Sequence, residues 1–199
     1  MSCEEQKKVT YTKQVREYCD KHGKGLIDIS VVRNSVFSDI PYKTLLKIFN
    51  RLEKEEIVIT VSKGVYSIGK KAIDDRKILC EYADNGKGMI AGYALFNKLG
   101  LTIYQDEKIV IYTNATTTKK KNIGKFLLKK VDLEFTDDVI DLVTLLEILD
   151  IGFGMHGGDY ITYKNTVELL AQAYTDDSFQ KVTRAIRYKY STIVKLNKC

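Results

Sequence analysis

Leu45, Ile48, Phe49 and Leu52 recur at helical spacing and fall on one face of a turn-by-turn projection. At about 100° per residue, Lys43, Lys47, Asn50, Arg51 and Lys54 fall on the opposite side. The pattern predicts an amphipathic helix with one apolar and one basic face. Ser38 or Asp39 suits its cap, and Pro41, the only proline of the chain, sits where a first turn needs no N–H donor. Next come Ile57, Val58, Ile59, Thr60 and Val61, a β-branched run that reads as a strand. Ser62, Lys63 and Gly64 have turn chemistry, and Val65, Tyr66, Ser67 and Ile68 read as the returning strand.

Upstream, residues 9–21 have helical spacing through Val15, Tyr18 and Cys19, stopped by Gly23 and Gly25. Leu26, Ile27, Asp28 and Ile29 predict a short strand, and Ser30 a cap for a short helix over residues 31–36. The order helix, short strand, helix, helix, hairpin is that of a winged helix-turn-helix. Downstream, residues 72–83 are helical in pattern, residues 89–99 predict a compact helix closed by Gly100, and residues 108–113 a strand. Lys119, Lys120 and Lys121 follow a polar turn as a basic run, and residues 126–135 alternate as a strand with one solvated face does. Thr136 is placed to cap a helix over residues 137–149, with Asp137 and Asp138 suiting its N-terminal dipole. Two more helices are expected, over residues 164–174 and from 178 to about 196, the last opened by Asp176 or Asp177. The resulting fold class is α+β: a winged helix-turn-helix over residues 1–72, then a mixed α/β domain over residues 73–199 that ends in helices.

Charge sharpens this division. The net charge is +6; residues 1–72 carry 14 Lys+Arg against 9 Asp+Glu, and residues 73–199 carry 18 against 17. The basic excess lies with the helix and hairpin, as a nucleic-acid partner requires. The candidate DNA contacts are Tyr42, Lys43, Thr44, Lys47, Asn50, Arg51 and Lys54 on the helix and Lys63 at the hairpin tip. Lys and Arg suit phosphates and guanine edges, and Asn suits adenine. Lys119, Lys120 and Lys121, with Arg184 and Arg187 of the last helix, are candidates for secondary basic contact, or else for solvated surface.

Other chemistry is thinly represented. The four cysteines, Cys3, Cys19, Cys80 and Cys199, show no CxxC spacing, so neither a zinc site nor a disulfide framework is expected and a cytoplasmic location is. Residues 1–8 hold no apolar signal-peptide core. The most apolar helix is interrupted by Asp141, Thr144 and Glu147, so no membrane partner is expected. Gly152, Gly154 and Gly157 match GxGxxG by letters, but the stretch follows a helical pattern, where Gly152 reads as a helix C-cap rather than a dinucleotide loop. His22 and His156 lack partners at triad or ligand spacing, and Asp137, Asp138 and Asp141 read as capping and surface residues. No cofactor, no metal and no enzymatic activity are expected. Two alternatives remain open: a winged helix serving as a protein-interaction module, and a C-terminal half that is an enzyme acting on nucleic acid.

Two segments together resemble the AbiEi-type antitoxins of bacterial abortive-infection toxin–antitoxin systems. The first runs through Lys43, Thr44, Leu45, Leu46 and Lys47, then Asn50, Arg51, Leu52, Glu53 and Lys54, to Lys63, Gly64, Val65 and Tyr66. The second is Gly88, Met89, Ile90, Ala91, Gly92, Tyr93, Ala94 and Leu95, with Asn97, Lys98, Leu99, Gly100, Leu101 and Thr102, then Tyr112, Thr113 and Asn114. Glu56 stands where such proteins usually carry a glycine before the wing, and Ile103 and Tyr104 replace their usual Thr-Gln. The resemblance implies a repressor of its own operon that binds inverted repeats in its promoter. It also implies an antitoxin opposing a nucleotidyltransferase-like toxin without a stable complex.

Overall fold

The computed structural model describes residues 3–23, 25–69, 74–153 and 158–197. Helices and sheets are mixed, and the chain divides into two compact units, Met1–Glu81 and Tyr82–Cys199. Among the described residues no helix is long and apolar enough to cross a membrane.

The first unit opens with α1 (Cys3–His22), β1 (Leu26–Asp28), α2 (Ile29–Ser35) and α3 (Tyr42–Lys54). It continues with β2 (Val58–Ser62), β3 (Val65–Ile68) and α4 (Asp75–Tyr82), whose last residue falls past the division. The strands form an antiparallel sheet in the order β1-β3-β2, with Ile27 opposite Tyr66 and Thr60 opposite Tyr66 on the other side. Val15 and Cys19 of α1 join Leu45, Ile48, Phe49 and Leu52 of α3 in the core, with Val58 and Tyr66 from the sheet. Burial raises the Cys19 thiol to about 11, so this cysteine behaves as an apolar core residue.

Two helix starts differ from the sequence expectation. Asp28, not Ser30, caps α2: its Oδ1 accepts the Ser30 backbone N–H at 3.0 Å and the Ser30 hydroxyl at 2.6 Å. Neither Ser38 nor Asp39 caps α3. Residues 37–40 turn first, burying Phe37 and Ile40, and Pro41 takes the N-cap position with its carbonyl accepting from Thr44 and Leu45 at 2.8 and 3.0 Å.

The second unit contains β4 (Gly88–Ala91), α5 (Tyr93–Lys98), β5 (Ile109–Thr113), β6 (Lys120–Ile123) and β7 (Phe126–Lys130). Four helices follow: α6 (Asp137–Ile151), α7 (Tyr160–Ala171), α8 (Asp176–Ala185) and α9 (Tyr190–Leu196). The sheet order is β4-β5-β7-β6, antiparallel except for the central parallel pair β5/β7. Helix α6 is buried all round, through Val139, Leu142, Val143, Leu145, Leu146, Ile148 and Leu149. It therefore forms the axis against which α7, α8 and α9 pack, as a helix without a polar face must.

Three expectations fail here for identifiable reasons. The helix expected over residues 89–99 is a strand followed by a short helix, because Gly92 takes φ 66 and ψ −151, a region open in practice to glycine alone. Lys120 and Lys121, expected only as a basic run after a polar turn, are strand residues of β6, paired with Lys129 and Leu128 of β7. The single last helix is two, α8 and α9, with Arg187 in the extended link between them. A Thr175–Ser178 capping box opens α8. Gly152 does close α6, at φ 78, its N–H donating to the Ile148 carbonyl. Gly154, Met155, His156 and Gly157 lie outside the described residues.

Candidate nucleic-acid interface

Helix α3 keeps its two faces apart. Leu45, Leu52 and Phe49 are fully buried and Ile48 nearly so, whereas Lys43, Lys47, Asn50, Arg51 and Lys54 are all exposed. Tyr42 is 40% exposed at the start of the helix, and Thr44 is half-buried. Among the described residues, Lys43, Lys47, Arg51 and Lys54 make no ion pair. Four cations on one face without a neutralising carboxylate are a phosphate-binding composition.

The hairpin lies back along the helix. Its tip is anchored by Gly64, whose carbonyl accepts the Ile29 N–H at 2.9 Å and which is buried near the Tyr42 phenol. Lys63 beside it is exposed, so this cation and Tyr42 both belong to the end of α3 where the helix begins. Further down, Glu53 Oε1 accepts the Thr60 backbone N–H at 3.1 Å, and the Tyr66 phenol donates to Asn50 Oδ1 at 3.0 Å. At the base, Arg16 of α1 pairs with Glu55 just past α3, and Glu56 turns the chain into β2 with φ 58.

Sequence reasoning located the exposed residues of α3 but missed what fixes them. In the sequence Tyr66 reads only as part of the returning strand. Val65, Tyr66 and Ser67 are all buried, so β3 has no alternation from which a polar contact is legible. Asn50, expected to read adenine, has its carbonyl oxygen already engaged.

The secondary basic residues do not assemble into one patch. Lys119 and Lys120 are exposed and Lys121 half-buried around β6, while Arg184 lies in the last turn of α8 and Arg187 beyond it. A groove of about 560 Å³ beside Arg184 is lined also by Lys130 and Lys181, but by Asp132 and Glu134 too. None of Lys119, Lys120, Lys121 or Arg187 lines it.

A second polar constellation sits inside the C-terminal unit. Glu147 Oε1 of α6 accepts from Tyr112 of β5 at 3.0 Å and from Tyr188 of the α8–α9 link at 3.3 Å. Burial raises the Glu147 carboxyl and, joined by the nearby Glu147 charge, pushes both phenols well up. One turn on, Asp150 accepts from Thr192 at 2.6 Å and pairs with Lys189 at 3.5 Å, while Lys195 donates to the Leu149 carbonyl at 2.7 Å. These bonds tie α6 to the sheet and to α9, which is a structural use of the group. Among the described residues no cluster of His, Cys, Asp and Glu has the makings of a metal site.

No protein-family model matches this chain, and no curated protein matches it in sequence.

Proposed function

We propose that the N-terminal unit is a winged helix-turn-helix that binds double-stranded DNA, with α3 in the major groove and Lys63 of the hairpin against phosphate. The carrying observation is the α3 stripe of Lys43, Lys47, Asn50, Arg51 and Lys54, exposed on one side of a helix whose other side is core. Support also comes from the strand order β1-β3-β2 beside two helices joined by a short turn. Titration of a labelled duplex carrying the protein's own promoter, at several salt concentrations, tests the reading. Specific binding with a steep salt dependence is the expected result. Equal affinity for promoter and scrambled duplex refutes it.

Within that reading the protein acts in the cytoplasm as a repressor of its own operon, on inverted repeats. It serves there as the antitoxin to a nucleotidyltransferase-like toxin, without a stable complex. The resemblance of the two sequence segments supports this role. The second segment also folds as one piece, from β4 through α5 to β5, with Gly88 packed against the Tyr112 carbonyl. Co-expression with a nucleotidyltransferase-like toxin tests it: residues 82–199 are expected to restore growth. Rescue by residues 1–81 alone contradicts the assignment.

A further inference from the structure

On its β6 side, β7 makes its last backbone bond at Lys130, whose N–H donates to the Lys119 carbonyl at 3.0 Å. The chain runs on in alternation: Val131, Leu133 and Phe135 are buried, Asp132 and Glu134 exposed. The first set is bonded on the β5 side. Val131 N–H donates to the Thr113 carbonyl at 2.9 Å, Leu133 N–H to the Val131 carbonyl at 3.0 Å and Phe135 N–H to the Gly86 carbonyl at 3.2 Å. The Leu133 carbonyl accepts from Asn114 Nδ2 at 2.8 Å. Successive peptide groups of an alternating chain face opposite sides, so the N–H and C=O of Asp132 and Glu134 continue the line of the Lys130 N–H. Strand β6 begins only at Lys120 and has no residue opposite them. Among the described residues no backbone group pairs with those of Asp132 and Glu134.

Both residues line the groove of about 560 Å³ to which α8 contributes Lys181, Arg184 and Ala185, and for which Val131 and Leu133 supply apolar lining. That size is in the range of ligand clefts. Lys130 is paired with Asp132 at 2.8 Å and Lys181 with Asp177 at 2.5 Å, whereas Arg184 has no carboxylate partner among the described residues. We propose that this groove takes an extended peptide of a partner protein by strand addition: its backbone pairs with Asp132 and Glu134, and one of its acidic side chains meets Arg184. Alternating donors and acceptors are matched by another peptide backbone and not by a phosphate chain, which offers acceptors only and is repelled by the Asp132 and Glu134 carboxylates. A second copy of this edge fits poorly, because antiparallel pairing about a two-fold axis sets those carboxylates against each other. The proposal is independent of DNA binding by α3.

The test is selection from a displayed library of random twelve-residue peptides on the full chain. The expected winners alternate apolar and polar residues and carry Asp or Glu. A synthetic winner is expected to slow amide exchange at Asp132 and Glu134. Methylating its backbone nitrogens one at a time is expected to abolish binding at alternate positions only, those whose N–H faces the edge. Arg184→Glu, at an exposed helix site, is expected to weaken the peptide by roughly tenfold or more, with thermal unfolding checking that the fold is kept. No enrichment over a bait-free control overturns the proposal. So does a winner that leaves exchange at Asp132 and Glu134 unchanged, that tolerates every single methylation, or that binds Arg184→Glu as well as wild type. Protection of the same two amides by dimerisation of the protein alone assigns the edge to a second copy and overturns it too.

Discussion

Glu53 on α3 accepts the backbone N–H of Thr60 on β2 at 3.1 Å, so a helix side chain closes the open edge of a three-stranded sheet. An edge N–H without a partner is both solvated and a template for unwanted pairing. Glu53→Ala is expected to destabilise the N-terminal unit by about 1 kcal/mol, with Glu53→Gln keeping most of the loss at bay. Urea unfolding and amide exchange at Thr60 measure it; unchanged exchange at Thr60 in the alanine variant contradicts the contact.

Glu56 enters β2 at φ 58, a left-handed conformation that costs a side-chain-bearing residue about 1–2 kcal/mol. Glycine removes that strain and gives back part of the gain through a freer unfolded chain. Glu56→Gly therefore raises stability by about 0.5–1 kcal/mol, read as a higher urea midpoint at constant slope.

Gly88 has no room for a methyl group. A Cβ there stands 2.3 Å from the carbonyl oxygens of both Tyr112 and Tyr82, and the Tyr112 backbone cannot yield without breaking the β4/β5 pairing. Gly88→Ala is expected to cost about 3 kcal/mol or more and to leave the C-terminal unit largely unfolded. Gly124→Ala serves as the control, because its site is open and only its φ of 54 is adverse.

The raised Glu147 carboxyl has a defined signature. Its folded pKa lies above the ordinary value of 4.5, so the folded state binds the proton more tightly than the unfolded chain. The corresponding stability is fully present below 4.5 and is lost as pH rises through the folded pKa. Glu147→Gln keeps an oxygen for Tyr112 and Tyr188 but has no proton to lose. The stability difference between wild type and this variant is expected to shift against wild type across that window. Chemical denaturation of both chains at a series of pH values measures it, and a difference independent of pH refutes the assignment.

Arg51 and Lys47 are expected to contribute to DNA binding by different routes. Loss of a bidentate guanine contact in Arg51→Ala costs about 1–3 kcal/mol and relaxes preference at one base pair. Lys47→Ala weakens all sequences alike and lowers the salt slope by about one. Unaltered binding by both variants at two salt concentrations moves the DNA face away from α3.

The sequence alone determined the two faces of α3, since the periodicity that buries Leu45, Phe49 and Leu52 leaves Lys43, Lys47 and Arg51 outward whatever the core contains. It determined the hairpin as well, through β-branched runs around Ser62, Lys63 and Gly64, and the closure of α6 at Gly152. Only the tertiary structure decided residues 88–98. Met89, Ile90 and Ala91 suit a helix as well as a strand, and it is their pairing with Tyr112, Ile111 and Val110 of β5 that makes them extended. The break between α8 and α9 belongs to the same class, since Tyr188 is drawn to Glu147, forty-one residues distant. So does the hydrogen bond from Tyr66 to Asn50. Periodicity is a local property and records which side of an element is apolar. Strand partners and hydrogen bonds between side chains depend on which distant segment arrives opposite, and that is fixed only when the core has closed.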